Sequence, residues 1–121
     1  MTLVDNKQMA ELENKLSSAP KKIMSGGSAA NTIFAVQAFG GSTAYACRLS
    51  DDSNGQHFFR DFSDSGISMS NSSIVKEGAT GQCLVLVTPD AERTMATNLG
   101  VSANLTNYCI DQKILRESKI V

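Results

Sequence analysis

A glycine pair just before a predicted helix is the segment of this 121-residue sequence best suited to chemistry. The segment spans Gly26–Asn31 and reads GGSAAN. Glycine adopts backbone angles that other residues avoid, and it lets a ligand approach the main chain closely. The first turn of a helix adds unpaired N–H groups and partial positive charge. The Asn31 amide can donate and accept, which suits paired sugar hydroxyls.

The same segment has a structural interpretation. It matches neither the GxGxxG dinucleotide motif nor a Walker A loop, because no GK[ST] follows the glycines. A strand-to-helix turn with Asn31 in a capping network explains the pattern equally simply. From this motif alone, the structural interpretation is favoured.

A second candidate is Arg93, which begins the return strand of a predicted hairpin. The planar guanidinium matches phosphate oxygens through its fork of donors. Because side chains alternate along a strand, Arg93 would share one face with Met95, Thr97 and Leu99. One cation among apolar contacts is the composition of a ligand cover. The alternative is a solvated surface arginine.

The remaining polar candidates favour structural roles. Paired carboxylates in the loop DDSNG, residues 51–55, resemble a metal site, but no third ligand follows at calcium-loop spacing. Asp, Asn and Gly are also ordinary loop and cap residues. The single histidine, His57, is expected on a helix surface or in packing. The cysteines Cys47, Cys83 and Cys109 include no CxxC pair, so each is expected to be a small buried residue.

Periodicity predicts three helices in the first half of the chain. The first covers about residues 5–18, with capping-box spacing between Asp5 and Gln8. The second follows Gly27 and ends at Gly40. Apolar residues cover nearly its whole circumference, so we expect this helix to be buried. The third covers about residues 56–65, where Phe58 and Phe62 share one face.

The second half of the chain is predicted to be richer in strands. Strands are expected at residues 43–49 and 74–75, with a loop at 50–55 between the first strand and the third helix. A hairpin follows, formed by residues 82–88 and 93–99 around a type I turn in which Pro89 takes the second position. The tail from residue 107 is predicted as a short helix that runs into a strand at 119–121. This order favours an α/β fold with an added β-sheet element.

Composition places few further limits on function. Apolar residues make up 41% and charged residues 19% of the chain, with a net charge of −1. No basic stripe suggests nucleic acid, and no apolar run approaches the roughly 20 residues that span a bilayer. The N-terminus lacks the features of a signal peptide. We therefore expect one cytoplasmic domain with no nucleic-acid or membrane partner.

In order and spacing, these motifs together resemble the PfkB family of kinases, which includes ribokinases and adenosine kinases. The first family signature is similar to residues 26–32, 39–41 and 48–55, and the lid segment of adenosine kinases is similar to residues 80–83, 90–95 and 98–100. The resemblance implies a ribokinase-like α/β/α sandwich with a β-sheet lid at about residues 74–99. It also implies that residues 1–121 are a partial domain. The first core strand would lie before Met1, and the catalytic, ATP-binding half would be absent.

The resemblance further implies a site and an activity. The activity is ATP-dependent transfer of phosphate to a hydroxymethyl group of a sugar or nucleoside, and ATP and Mg²⁺ would bind outside these residues. The substrate-binding set carried over by position is Gly26, Gly27, Ser28, Asn31, Arg93, Met95, Thr97 and Leu99. Within it, the glycine pair would act as a hinge, Arg93 would approach the transferred phosphate, and the last three residues would line the lid.

No residue is predicted as a catalytic base. The Gly-Ala-Gly-Asp segment that carries the base in this family does not occur in the sequence, and no Asn-x-x-Glu motif is recognisable. Phosphoryl transfer depends on positioning and electrostatic stabilisation, which these motifs largely supply. The leading hypothesis is therefore part of an adenosine kinase-like enzyme that is inactive alone. The alternative is a non-catalytic binding or oligomerisation module, in which the lid sheet joins copies of the chain.

Overall fold

The computed structural model describes residues 1–70 and 73–121. This part of the chain contains seven short strands and four α-helices. In chain order, the elements are β1 Thr2–Leu3, α1 Asn6–Lys15, α2 Ser28–Ala38, β2 Ala44–Tyr45, β3 Leu49–Ser50, α3 Ser53–Asp64, β4 Ser68–Met69, β5 Ile74–Val75, β6 Gln82–Val87, β7 Arg93–Asn98 and α4 Gln112–Glu117. Two 3₁₀ turns, Gly100–Asn104 and Asn107–Cys109, lie between β7 and α4.

The predicted hairpin is the centre of the largest sheet. Strands β6 and β7 are antiparallel, with Val85 opposite Met95. Strand β1 adds to the free edge of β7 in parallel, with Leu3 opposite Thr97. Strand β1 was not predicted, because two residues are too few to display an alternating pattern. The other strands form two parallel pairs, β2 with β4 and β3 with β5.

Aromatic side chains from α2, α3 and β2 form the main core. Phe62 is fully buried, with ring centroids 4.3 Å from Phe58 and 4.5 Å from Phe34. Tyr45 of β2 completes the group at 5.0 Å from Phe62. Rings at these separations add to the burial of their apolar area. The predicted inner face of α3 is therefore confirmed.

Local sequence signals set several element ends correctly. Asp5 caps α1 in a full capping box, with Gln8 N–H donating to the Asp5 carboxylate at 2.8 Å. Gly66 follows α3 with φ at 78°, in the left-handed region that favours glycine. Pro89 follows Thr88 in a turn closed by the Ala91 N–H, which donates to the Thr88 carbonyl at 2.8 Å.

Other boundaries were predicted wrongly. The strand expected at 43–49 is two short strands, β2 and β3. They pair with different partners, because the chain passes from the β2–β4 pair to the β3–β5 pair between them. The loop expected at 50–55 is occupied by the end of β3 and the start of α3, because Asp52 caps that helix three residues earlier. Residues 119–121 form no strand, since the described part of the chain provides them no strand to pair with.

Helix α2 is the largest departure from expectation. Only Ala30 is buried, whereas Val36 is 44% exposed and Phe39, at the C-terminal cap, is 93% exposed. The prediction of a buried helix is therefore wrong for this chain. One side of α2 covers the aromatic core, but the other side meets no layer within residues 1–70 and 73–121.

We expect this open side to make the isolated chain marginally stable or self-associated. Exposed apolar patches of several hundred Å² commonly drive association. Sedimentation equilibrium with calorimetry measures both properties. Phe39→Ser should reduce self-association, whereas Tyr108→Ser, which removes a side chain that is 85% exposed elsewhere, should not. A monomer with a cooperative unfolding transition would contradict the prediction.

Candidate functional site

The start of α2 leaves its backbone donors free. Gly27 is the N-cap residue, and no side chain within residues 1–70 and 73–121 caps the helix. Its φ of 112° lies in the region that L-residues rarely adopt, so the turn requires glycine at this position. No acidic residue occupies the first turn. The free N–H groups and the partial positive charge of the helix end therefore face solvent, where an oxygen-rich ligand can accept from them.

Asn31 lies at the end of this turn with its side chain exposed. Its backbone N–H donates to the Gly27 carbonyl at 2.8 Å. Its side-chain amide makes no hydrogen bond within residues 1–70 and 73–121. Thr32 differs, because its hydroxyl donates to the Ser28 carbonyl at 2.9 Å within the same helix. The Asn31 amide is therefore available to a ligand, and the capping network considered for it does not form.

The second group of predicted residues lies on one face of β7. Residues directly opposite each other on paired strands share a face. Arg93, Met95 and Thr97 therefore share a face with Val87, Val85 and Cys83 of β6, respectively. Arg93 is exposed, and Met95 and Thr97 are half-buried. Leu99, just beyond β7, is 48% exposed.

The two groups do not meet in a described cavity. A cleft of about 480 Å³ lies beside the glycine segment and is lined by Ser25, Phe34, His57 and Asp61, among others. Another, of about 490 Å³, is lined by Thr97 and Leu99 together with the end of β1 and the 3₁₀ turn after β7. Gly26, Gly27, Ser28 and Asn31 line neither cleft, so neither includes members of both groups. Arg93 and Met95 line neither of them.

Asp52 joins three parts of the chain. Its carboxylate accepts from the Gly55 N–H at 2.8 Å, capping α3. It also accepts from Thr80, through the backbone N–H at 2.8 Å and the hydroxyl at 2.7 Å. The Thr80 hydroxyl in turn accepts from the Ser50 N–H at 2.9 Å. These bonds fix β3, α3 and the segment that leads into β6.

The pKa of Asp52 reflects this network. Burial raises it, but the hydrogen bonds from Thr80 and Gly55 together outweigh burial and hold the pKa below its ordinary value of 3.8. Gly55 is required for the close approach, because a Cβ there would lie 2.0 Å from the Ser50 carbonyl oxygen. The structural interpretation of the 51–55 loop agrees with this geometry.

The same geometry argues against a metal at this loop. The Asp52 oxygens already accept from protein donors, and Asp51 accepts from the Gln56 amide at 3.1 Å. Among residues 1–70 and 73–121, no group of three or more His, Cys, Asp or Glu could hold a metal ion. The carboxylates of the 51–55 loop therefore do not fit a Mg²⁺ site.

The cysteines occupy three different environments. Cys109 is buried, and burial raises the pKa of the half-buried Cys47 to about 11, which keeps that thiol protonated. Cys83 is exposed and accepts a hydrogen bond from the Thr97 hydroxyl at 3.2 Å. The expectation of burial was therefore wrong for Cys83, because its position in β6 faces outward. All three thiols are free.

Sequence reasoning missed a contact next to the glycine segment. The Ser25 hydroxyl donates to the Asp61 carboxylate of α3 at 2.6 Å. His57 Nε2 lies 3.3 Å from the same carboxylate, without the alignment of a hydrogen bond. His57 and Asp61 have the i, i+4 spacing of a helical pair, which was readable from the sequence. The link to Ser25, 36 residues away, was not.

No helix within residues 1–70 and 73–121 is both long and apolar enough to cross a bilayer.

Residues 7–121 match the pfkB family of carbohydrate kinases, and the chain belongs to that family. No curated protein matches the sequence.

Solved structures support the same assignment. Adenosine kinase from Sinorhizobium meliloti is 29% identical, with a TM-score of 0.84 over 98% of this chain. A probable sugar kinase from Rhizobium etli CFN 42 is 28% identical, with a TM-score of 0.87 over 98% of this chain. Adenosine kinase from Schistosoma mansoni in complex with adenosine, at 24% identity and a TM-score of 0.72, shares the fold over 92% of this chain.

The chain spans 36% of the length of the first two of these proteins and 32% of the third. The predicted fold class is therefore confirmed, as part of a ribokinase-like kinase fold.

Proposed function

We propose that the chain provides part of the substrate side of an ATP-dependent kinase for a nucleoside or sugar. In this proposal, phosphate from ATP, with Mg²⁺, is transferred to a hydroxymethyl group of the substrate. Residues of the 26–31 segment bind the sugar hydroxyls, and the β6–β7 hairpin covers the substrate as a lid. Adenosine is the first substrate to test, since two of the similar structures are adenosine kinases.

The observation that supports this proposal is the open first turn of α2. It combines free backbone donors, a positive helix end and the unpaired Asn31 amide within one turn. Sugar hydroxyls both donate and accept, so they complement this set. Arg93 is assigned to the transferred phosphate and Met95, Thr97 and Leu99 to the ring of the substrate. In the chain described here, these residues line no cleft together with the first turn of α2. The assignment therefore requires the hairpin to close over the substrate, with Gly26 and Gly27 as the hinge.

Ligand-observed NMR tests the binding role directly. Saturation transfer from the chain to adenosine, ribose and a non-sugar control such as cyclohexanol reports weak binding, and large self-associated species strengthen the signal. We expect transfer to the ribose protons of adenosine and to ribose, and none to cyclohexanol. Equal transfer to all three, or to none, would contradict the proposal.

We expect the purified chain to show no kinase activity. The sequence contains no Gly-Ala-Gly-Asp segment to supply a base and an anion hole. Formation of labelled AMP or sugar phosphate from labelled ATP measures this, with the Sinorhizobium meliloti adenosine kinase as positive control. Product clearly above a no-protein control would contradict the prediction.

A second candidate function is a non-catalytic assembly module. The observation that favours it is the open face of the β1–β7–β6 sheet, where Leu3 is 63%, Val85 46% and Val87 64% exposed. A homo-oligomer joined through this face would bury these side chains. Val85→Lys with Val87→Lys should then abolish self-association, whereas association driven by α2 would respond to Phe39→Ser instead.

A further inference from the structure

The stretch of chain that leads into the glycine segment has almost no support of its own. Residues 20–26 form no regular secondary structure, and Ile23 and Met24 are 66% and 70% exposed. No backbone–backbone hydrogen bond involves these residues within the described part of the chain. In that part, the hydrogen bond from Ser25 to Asp61 is the only one that joins residues 20–26 to another element.

This single hydrogen bond lies where it can restrain the turn that leads into α2. Ser25 immediately precedes the glycine pair, and Asp61 projects from α3, which packs against α2 through Phe62 and Phe34. A carboxylate acceptor makes a short, strong bond with a hydroxyl, here 2.6 Å. A Cβ added at Gly26 would meet no atom within 4 Å, so packing does not restrain this residue. The direction in which the chain enters Gly27 therefore depends on Ser25.

We infer that Asp61 is a positioning residue, which holds the Gly26–Asn31 segment in its ligand-ready conformation through Ser25. This inference rests on the proposed function. Asp61 touches no substrate in this scheme. It acts by limiting the conformations of the turn that presents the free N–H groups and the Asn31 amide. Preorganised donors bind more tightly because less order is lost on binding. Loss of the hydrogen bond between Ser25 and Asp61 should therefore weaken substrate binding without removing any ligand contact.

A ligand-free measurement separates this inference from the proposed function. Amide hydrogen exchange followed by mass spectrometry reports opening of the first turn of α2, where the Asn31 N–H bonds to the Gly27 carbonyl. We expect Asp61→Ala and Ser25→Ala to speed exchange in peptides of this turn about three- to tenfold. Peptides of the last turn of α2, where Phe39 N–H bonds to Ala35, should be unchanged.

The variants include matched controls. Asp64→Ala removes the same charge from the same cleft, but the Asp64 side chain makes no hydrogen bond or ion pair within residues 1–70 and 73–121, so it should behave like the unaltered chain. Asp61→Asn keeps an acceptor for Ser25 and should restore most of the protection. The double variant Ser25→Ala with Asp61→Ala should match the single variants, because each substitution alone already removes the same hydrogen bond.

Adenosine affinity, from the NMR titration, completes the test. We expect Asp61→Ala and Ser25→Ala to weaken binding about three- to tenfold, and Asp61→Asn and Asp64→Ala to bind nearly as the unaltered chain does. Unchanged exchange in Asp61→Ala, or equal effects of Asp61→Ala and Asp64→Ala, would overturn the inference while leaving the proposed function standing. Faster exchange in a chain that binds no adenosine would instead overturn the proposed function, and with it the link from Asp61 to binding.

Discussion

Asn31→Ala is expected to weaken nucleoside binding by about one to two orders of magnitude. The Asn31 side chain is exposed and makes no hydrogen bond within the described chain, so its donor and acceptor are free for a sugar. Each hydrogen bond between uncharged groups contributes about 0.5–1.5 kcal/mol net. Two such bonds correspond to roughly 10- to 100-fold in affinity. Saturation-transfer titration of adenosine against both proteins measures the change.

The stability of Asn31→Ala should stay the same or rise slightly. Alanine has a higher helix propensity than asparagine, by up to about 0.7 kcal/mol in an exposed position. No capping bond is lost, since Asn31 forms none within residues 1–70 and 73–121. Thermal unfolding without ligand measures this second quantity. Loss of stability with unchanged affinity would identify Asn31 as a structural residue and refute the assignment of the segment as a binding site.

Thr32→Ala is the matched control for Asn31→Ala. Thr32 is the next residue, also polar and exposed, but its hydroxyl is already bonded to the Ser28 carbonyl at 2.9 Å. Its removal should therefore leave adenosine affinity within about twofold, because its only donor already bonds within the helix and is not free for the ligand. An equal loss of affinity in both variants would point to a general disturbance of the first turn.

Asp52→Ala is expected to produce the largest loss of stability, about 2–4 kcal/mol. The substitution removes the cap of α3, worth about 1 kcal/mol, and leaves the Thr80 N–H and hydroxyl without their acceptor. Urea unfolding measures the loss. Asp51→Ala is the control, because it removes the neighbouring charge from an exposed carboxylate and should cost less than about 0.5 kcal/mol. Similar losses in both variants would contradict the role of the network.

The contribution of Asp52 should also depend on pH in a defined direction. Its pKa in the folded chain lies below the ordinary value of 3.8. The carboxylate therefore stabilises the fold fully above that ordinary value, and this contribution is lost as the pH falls through the folded-state pKa. The stability difference between the unaltered chain and Asp52→Asn should narrow as the pH is lowered below 3.8. A difference that stays constant down to acid unfolding would contradict this.

The sequence by itself determined the local elements. The capping box at Asp5, the glycine pair before α2, the apolar run of β6 and the proline turn all appear where their signals lie, because each depends on neighbours within a few residues. The combined motif spacing also identified the family. The short strands β2 and β3 were predicted as one strand at 43–49, because the change of pairing partner between them has no local signal.

Only the tertiary structure decided which surfaces are buried and which residues meet. The apolar circumference of α2 predicted burial, but burial requires a second layer, and the described chain provides one on a single side. The contacts of Thr80 with Asp52 and of Ser25 with Asp61 join residues 28 and 36 positions apart. Such pairs depend on how helices and strands pack. Residue type and spacing along the chain do not directly predict that packing. The parallel addition of β1 to β7 is decided in the same way, because a two-residue strand is stable only where an existing edge offers it hydrogen-bond partners.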